Sequence, residues 1–410
     1  MLKRALILVE GHRHNGPLYI QAAKRLGLHP ITFSADPSNY DYLASEELEV
    51  VRVDTDDLEA IIRECSQLSA RYDIGGITGF TGLDESLYVT VAKLCRHFGL
   101  PGPNPASIEQ CCDKFTQRQR LAETDIPMPV YRLTADATET KEIAAEIGLP
   151  VIVKPTIGSG SSGVRLCRNV EEVSEHATNL LSGGHKWQSS PRLLVEEFAP
   201  GPSYQSHIMS NQIIGVTGND FGPPPHFVYR EFTYPAMLAD QEYKDIADIS
   251  QNCVRALGLD WGPANIEIRW TKHGPVVIEV NPRLAGEDPH LVQLAHGIDL
   301  VNEHIKLVIG EEWNLRRTRS HTAAVRYLVP DRDGILEWIG SDSRAAAVSG
   351  VVEVKFYKGP KTPIVRKGDY RDCLGHVIAA SPSGARTAAI LHDAADLVDW
   401  SIAPFPTVSE

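Results

Sequence analysis

Residues 5–9 form an uninterrupted apolar run, the pattern of a strand buried on both faces of a parallel sheet. A Gly/His/Asn-rich loop (11–16) and a helical stretch at 18–26, closed by Gly27, follow it. Strands are expected at 30–34, 48–53 and 74–78, with helical periodicity over 56–71. Strands alternating with helices indicate an open, doubly wound parallel sheet of the α/β class. The turn-rich Leu100-Pro-Gly-Pro-Asn-Pro105 closes this first domain, 1–105. A helix is expected over 106–124, then Pro127 and Pro129 break the pattern. Helices at 136–147 and 170–181 and strands at 150–154, 164–167 and 192–198 outline a subdomain of about 127–200. Residues 203–235 look β-rich and 240–258 helical; the central domain extends over 106–317. Short strands at 351–357, 364–366 and 374–380 and a helix at 383–398 give a β-rich C-terminal domain, 318–410.

Around residue 270, two apolar runs flank a Lys-His-Gly-Pro turn, which reads as a β-hairpin. Folding it about His273 sets Glu267 opposite Glu279. Like charges facing across strands repel. Strand alternation puts Asn281 and Arg283 on the same face as the two acids. Two carboxylates and a carboxamide offer the hard oxygen ligands that Mg²⁺ takes beside nucleotide phosphates, and a cation would relieve the repulsion.

Composition narrows the classes. The 410 residues suggest two to three domains, and a net charge of −13 argues against a broad nucleic-acid surface. Seven cysteines without CxxC spacing fit a reducing cytoplasm. No apolar run reaches the roughly 18 residues of a membrane-spanning helix. We expect a cytoplasmic homodimer without a membrane partner.

A second candidate site is Val151-Ile-Val-Lys154-Pro155 followed by Gly158-Ser159-Gly160-Ser161-Ser162-Gly163. The loop matches GxGxxG, but it leads into a strand, not into the helix a dinucleotide site needs. A Walker A loop fails because Val164-Arg165 stand where Lys-Ser/Thr belongs, and a kinase loop fails because the lysine precedes the glycines. A strand-loop-strand flap remains, its small residues able to close over phosphates with Lys154 at the base. Further on, Val195-Glu196-Glu197-Phe198 suits a hinge whose backbone edge meets an adenine.

With Lys114 on a helix, the VIVKP strand and flap, the VEEF hinge and the Glu…Glu-x-Asn pair ending in Asn-Pro-Arg, the chain resembles the ATP-grasp superfamily over residues 105–300. The resemblance implies an enzyme in which Lys114, Lys154 and the flap hold ATP phosphates. Residues 195–198 would hold adenine, and Glu267, Glu279 and Asn281 would hold Mg²⁺ (or Mn²⁺). Arg283 would stabilise an acyl phosphate or tetrahedral intermediate. It further implies a carboxylate substrate phosphorylated by ATP and then attacked by an amine. One position departs: Ser203 stands where a ribose-binding glutamate is common.

Within the superfamily the layout looks most like the L-amino-acid (dipeptide) ligases, on the strength of the 79–86 segment, the Pro-rich turn, Asn-Pro-Arg-x-Ala-Gly286 and the β-rich lid. The residue after Ala-Gly lines the first-substrate pocket in that branch; here it is Glu287, which suggests a substrate with a basic or amino group. Asp84-Glu85 and His207 are further substrate candidates. His12 and His14 lack a nearby third ligand in sequence and read as a polar loop rather than a metal site. The alternatives are a carboxylase or purine-pathway type of ATP-grasp ligase, or a non-catalytic nucleotide-binding regulator.

Overall fold

The computed structural model of the protein describes residues 2–44, 47–80, 85–184 and 191–406. Four parallel strands, β1 (Lys3–Val9), β2 (His29–Ser34), β3 (Glu49–Arg52) and β4 (Tyr72–Gly79), lie in the order β3-β2-β1-β4. Both faces of β1 are covered, as its apolar run demands. Ala5, Ile7 and Val9 pack with Ile61, Cys65 and Leu94, while Leu6 and Leu8 pack with Tyr19, Ile20 and Ala23. The second face also receives Val301, Ile305 and Val308 from the distant helix Leu300–Val308. The central part of the chain therefore docks on the N-terminal sheet.

The helix expected over 106–124 is two helices, Pro105–Cys112 and Lys114–Ala122. Asp113 separates them with extended dihedrals (φ −120°, ψ 120°) and caps the second, accepting the Thr116 amide at 2.9 Å. Its other oxygen pairs with Arg192 at 2.8 Å. The break starts the second helix at Lys114, whose own amide donates to the Thr156 carbonyl next to the flap.

A second sheet contains β5 (Tyr131–Thr134), β6 (Val151–Pro155), β7 (Arg165–Cys167) and β8 (Leu193–Glu197) in the order β5-β8-β6-β7. With helices Ala137–Ile147 and Val170–Asn179 it has its own core, including Val151, Val153, Val173 and Val195.

The remaining strands are β9 (Ser203–Met209), β10 (Gln212–Asp220), β11 (Glu231–Tyr234), β12 (Pro263–Thr271), β13 (Gly274–Asn281), β14 (Thr322–Leu328), β15 (Gly334–Gly340), β16 (Val351–Phe356), β17 (Pro363–Ile364), β18 (Gly375–Ser381) and β19 (Asp399–Ala403). Eight of them make one sheet, β13-β12-β9-β10-β11-β14-β18-β16, and three make another, β17-β15-β19. Because β11 pairs with β14, the large sheet runs without interruption through the 317/318 position. Strands β14, β15 and β19 have no counterpart in the sequence reading; their small and mixed residues, as in Thr-Ala-Ala-Val-Arg-Tyr-Leu, lack clean alternation. Among the described residues no helix is long and apolar enough to cross a membrane.

Candidate active site

The β12–β13 hairpin does set Glu267 opposite Glu279, but not by symmetry about His273. Thr271 pairs with Gly274, so the loop is the two residues Lys272-His273. Continued unchanged, that register would face Glu267 with Ile278. A β-bulge between Glu267 and Ile268 absorbs one extra residue on β13 and restores the Glu267–Glu279 pair. Arg118 braces this irregularity. Its guanidinium donates to the carbonyls of Val277 (3.0 Å) and Ile278 (2.5 Å). Gln117 beside it bonds both the carbonyl and the amide of Val280, at 2.7 and 2.8 Å.

Glu267, Glu279, Asn281 and Arg283 all line one cleft, together with Lys114, Lys154 and the flap residues 158–162. Asn281 donates to Glu267 at 3.4 Å. Burial and then the facing Glu279 push the Glu267 carboxyl well above the usual carboxylate range, while Arg283 and the two lysines pull it back. Two buried facing carboxylates with an adjoining amide form a donor set suited to a hard dication.

Lys154 is 3 % exposed, and its ammonium meets Glu196 Oε2 at 2.5 Å; Arg118 meets the other oxygen at 2.7 Å. Burial alone would raise the Glu196 carboxyl, yet Arg118 and Lys154 outweigh it and hold it at about 2. Burial lowers the Lys154 ammonium, against the pull of Glu196. Lys114 bridges Glu279 (3.1 Å) and the Gly158 carbonyl (2.6 Å). Arg118, which the sequence reading passed over, sits four residues after Lys114 on one helix face, and that spacing was its available signal.

The hinge differs from expectation. β8 is flanked by β5 and β6, so Val195 and Glu196 have partners on both sides, and the Glu197 amide donates to Val130. The Glu196 side chain is committed to Lys154 and Arg118 rather than to a nucleotide base. Beyond Glu197, Phe198 and Ala199 have no backbone hydrogen bond among the described residues, and Glu197, Phe198, Ala199 and Ser203 all line the cleft. Phe221, Phe227 and Tyr229 add an aromatic wall that the sequence did not single out.

The flap is held. Gly158, Gly160, Ser161 and Gly163 have positive φ, and a Cβ on Gly160 would run into the ring of Tyr370. The Tyr370 amide donates to the Gly160 carbonyl at 3.3 Å, and Arg371 donates to Ser162 Oγ at 3.3 Å. Tyr370 and Arg371, from the C-terminal part of the chain, thus pin a loop built of small residues.

Arg283 pairs with Glu85 at 2.9 Å. Burial raises the Glu85 carboxyl despite Arg283, and its Oε2 has no hydrogen-bond partner among the described residues. Asp84 lies outside the described residues. Gly286 and Glu287 line the cleft. Glu287 Oε2 accepts from Tyr327 at 2.7 Å, and Oε1 faces His14 Nδ1 at 3.4 Å. Burial opposes ionisation, yet His14, His376 and the Tyr327 hydroxyl keep this carboxyl below its ordinary value. It thus has partners within the protein and does not depend on a cationic substrate. His207 is not among the cleft-lining residues. It bonds Thr217 at 2.7 Å and faces Asp288 at 3.3 Å, and Asp288 is the group of the three that lines the cleft.

Comparison with known proteins agrees with this geometry. The family described as carbamoyl-phosphate synthase L chain, ATP binding domain matches residues 113–316, and L-amino acid ligase C-terminal domain 2 matches residues 326–403. The uncharacterized protein y4rH of Sinorhizobium fredii is 54% identical over 98% of this chain and 84% of its own. Carnosine synthase 1 of Homo sapiens is 26% identical over 74% of this chain, which spans only 39% of that relative. The L-amino acid ligase of Bacillus licheniformis has the same fold, with a TM-score of 0.82 at 20% identity over 98% of this chain and all of the other. The chain belongs to the ATP-grasp carboxylate–amine ligase family and is an enzyme of that family.

Proposed function

We propose that the protein uses ATP to activate the carboxylate of an amino acid as an acyl phosphate and joins it to an amine. The products are a dipeptide or similar amide, ADP and phosphate. The observation that carries this reading is one cleft that holds the opposed Glu267–Glu279 pair with Asn281 and is lined also by Lys114, Lys154 and Arg283. Mg²⁺ (or Mn²⁺) held by those three oxygen ligands would neutralise phosphate charge.

Lys154, aligned by Glu196, and Lys114, at the flap's first glycine, bind and orient the phosphates. The substrate carboxylate oxygen attacks the terminal phosphorus, and the bond to ADP breaks. The amine nitrogen then attacks the acyl carbon, the C–O bond to phosphate breaks, and the amine loses a proton. Arg283 faces the negative charge that develops at the acyl centre. The flap, closed by Tyr370 and Arg371, keeps water from the acyl phosphate. The relationship to carnosine synthase 1 and the fold of an L-amino acid ligase favour amino acids as substrates.

The test is phosphate release across a panel of amino-acid pairs, with product masses recorded. ADP, phosphate and a mass equal to two amino acids less water are expected. AMP and pyrophosphate, or phosphate release that needs bicarbonate, would sink the reading. The proposal includes a cytoplasmic homodimer, to be checked by light scattering of the purified protein.

A further inference from the structure

Outside the nucleotide end of the cleft, three residues from distant parts of the chain converge. His14 comes from the loop after β1, Glu287 from the loop after β13, and His376 from β18. One ligand atom from each, an imidazole nitrogen or a carboxylate oxygen, lies within 4.8 Å of the other two. His14 Nδ1 already stands 3.4 Å from Glu287 Oε1, and the Tyr327 hydroxyl engages the opposite oxygen, which fixes the carboxylate's orientation. The two histidine rings are 6.1 Å apart, centre to centre.

His376 supplies an independent observation. It is 2 % exposed, its Nδ1 meets the Tyr357 hydroxyl, and its Nε2 has no hydrogen-bond partner among the described residues. Glu353 approaches that nitrogen only to 3.5 Å. A buried polar atom without a partner is costly, and such atoms mark places where something further binds.

We propose that His14, Glu287 and His376 form a site for a transition-metal dication of the zinc class, separate from the nucleotide-linked magnesium position. Two imidazoles and one carboxylate are a ligand set that zinc takes and magnesium does not favour. Glu267, Glu279 and Asn281 present oxygen alone and suit the harder ion. The two sites are therefore told apart by donor type. An ion held here would cross-link the N-terminal loop, the loop after the magnesium hairpin and the C-terminal strand. Since Glu287 also lines the cleft, the ion would stand at its substrate end. Of the two histidines that the sequence assigned to a polar loop, His14 alone joins this site; its partners Glu287 and His376 lie 273 and 362 positions along.

The experiment titrates the full-length, metal-stripped protein with Co²⁺ in excess Mg²⁺, following the visible absorption of nitrogen-ligated cobalt, with Zn²⁺ displacement as a second readout. One equivalent is expected, displaced by Zn²⁺. His14→Ala and His376→Gln should each weaken it by at least about tenfold, and Glu279→Gln should leave it unchanged. His14 is partly exposed in a loop, so its variant tests the site even if His376→Gln fails to fold. The inference is overturned if no visible spectrum develops, if His14→Ala binds cobalt as wild type does, or if Glu279→Gln abolishes the signal. None of these results bears on the ligase reading, which the phosphate-release assay tests on its own.

Discussion

Replacing Glu196 by glutamine separates an adenine contact from an electrostatic one. In the structure this carboxylate lies between Arg118 and Lys154, all three nearly inaccessible to solvent. Removing one partner of a buried pair leaves uncompensated charge, at a cost of about 3 kcal/mol. Burial already lowers the Lys154 ammonium, and without Glu196 it should fall further. Glu196→Gln should therefore raise KM for ATP at neutral pH and recover part of the loss as pH falls, since acid reprotonates the lysine. An adenine contact would give a KM defect indifferent to pH. Glu196 also leaves a signature in the wild type. Its carboxyl is held at about 2, below its unfolded value, so its stabilisation is complete above about pH 4.5 and is lost as pH falls toward 2. Acid melts of wild type and variant should converge in that window. At the β12–β13 hairpin the two acids differ in partners: Lys114 pairs with Glu279, while among the described residues Glu267 accepts from the Asn281 amide. Glu267→Gln should thus raise Tm of the nucleotide-free protein and Glu279→Gln should change it little. Both should lower kcat on the order of a hundredfold or more. Equal Tm shifts would show that repulsion is not what distinguishes them.

Among the elements, the flap and the turn Tyr370–Asp372 act together. Tyr370→Ala should speed hydrogen exchange over 158–163 and lower the amide formed per phosphate released, because a loose flap admits water to the acyl phosphate. Unchanged exchange would mean that the flap's own turns hold it. Sequence alone disclosed the flap, its lysine and the strands on either side of it, since short apolar runs and glycines act locally; the edge strand β5 escaped it. It did not disclose the latch, which lies some 210 residues away from the flap it touches. The split at Asp113 was legible in principle, for an aspartate three residues before Thr116 is an N-cap signal, but helical periodicity on both sides masked it. The hairpin shows a subtler limit. Folding about His273 anticipates the facing glutamates, whereas the chain reaches them through a two-residue turn and a bulge. A bulge depends on what braces it, here Arg118 from another element, and no local pattern announces that.

Across the whole molecule, the pair Arg283–Glu85 links the N-terminal domain to the segment just after the β12–β13 hairpin. Sequence placed the two residues in separate domains, Glu85 as a substrate candidate and Arg283 as a stabiliser of reaction charge; that they partner each other is a product of docking, which periodicity does not encode. The pair tests whether the N-terminal domain only packs against the cleft or tunes its chemistry. Glu85→Gln leaves Arg283 buried with a weaker partner, so Tm should fall by several degrees. If Arg283 serves the acyl centre, kcat should fall too, with KM for ATP nearly unchanged because Lys154 keeps its own partner, Glu196. A purely structural pair behaves differently in the double variant. Glu85→Leu with Arg283→Met removes both charges and should regain much of the Tm lost by either single change. Activity should stay at the level of Arg283→Met alone. Recovery of kcat together with Tm would show that Arg283 acts only by holding the domains together, and the assignment of charge stabilisation to it would fall.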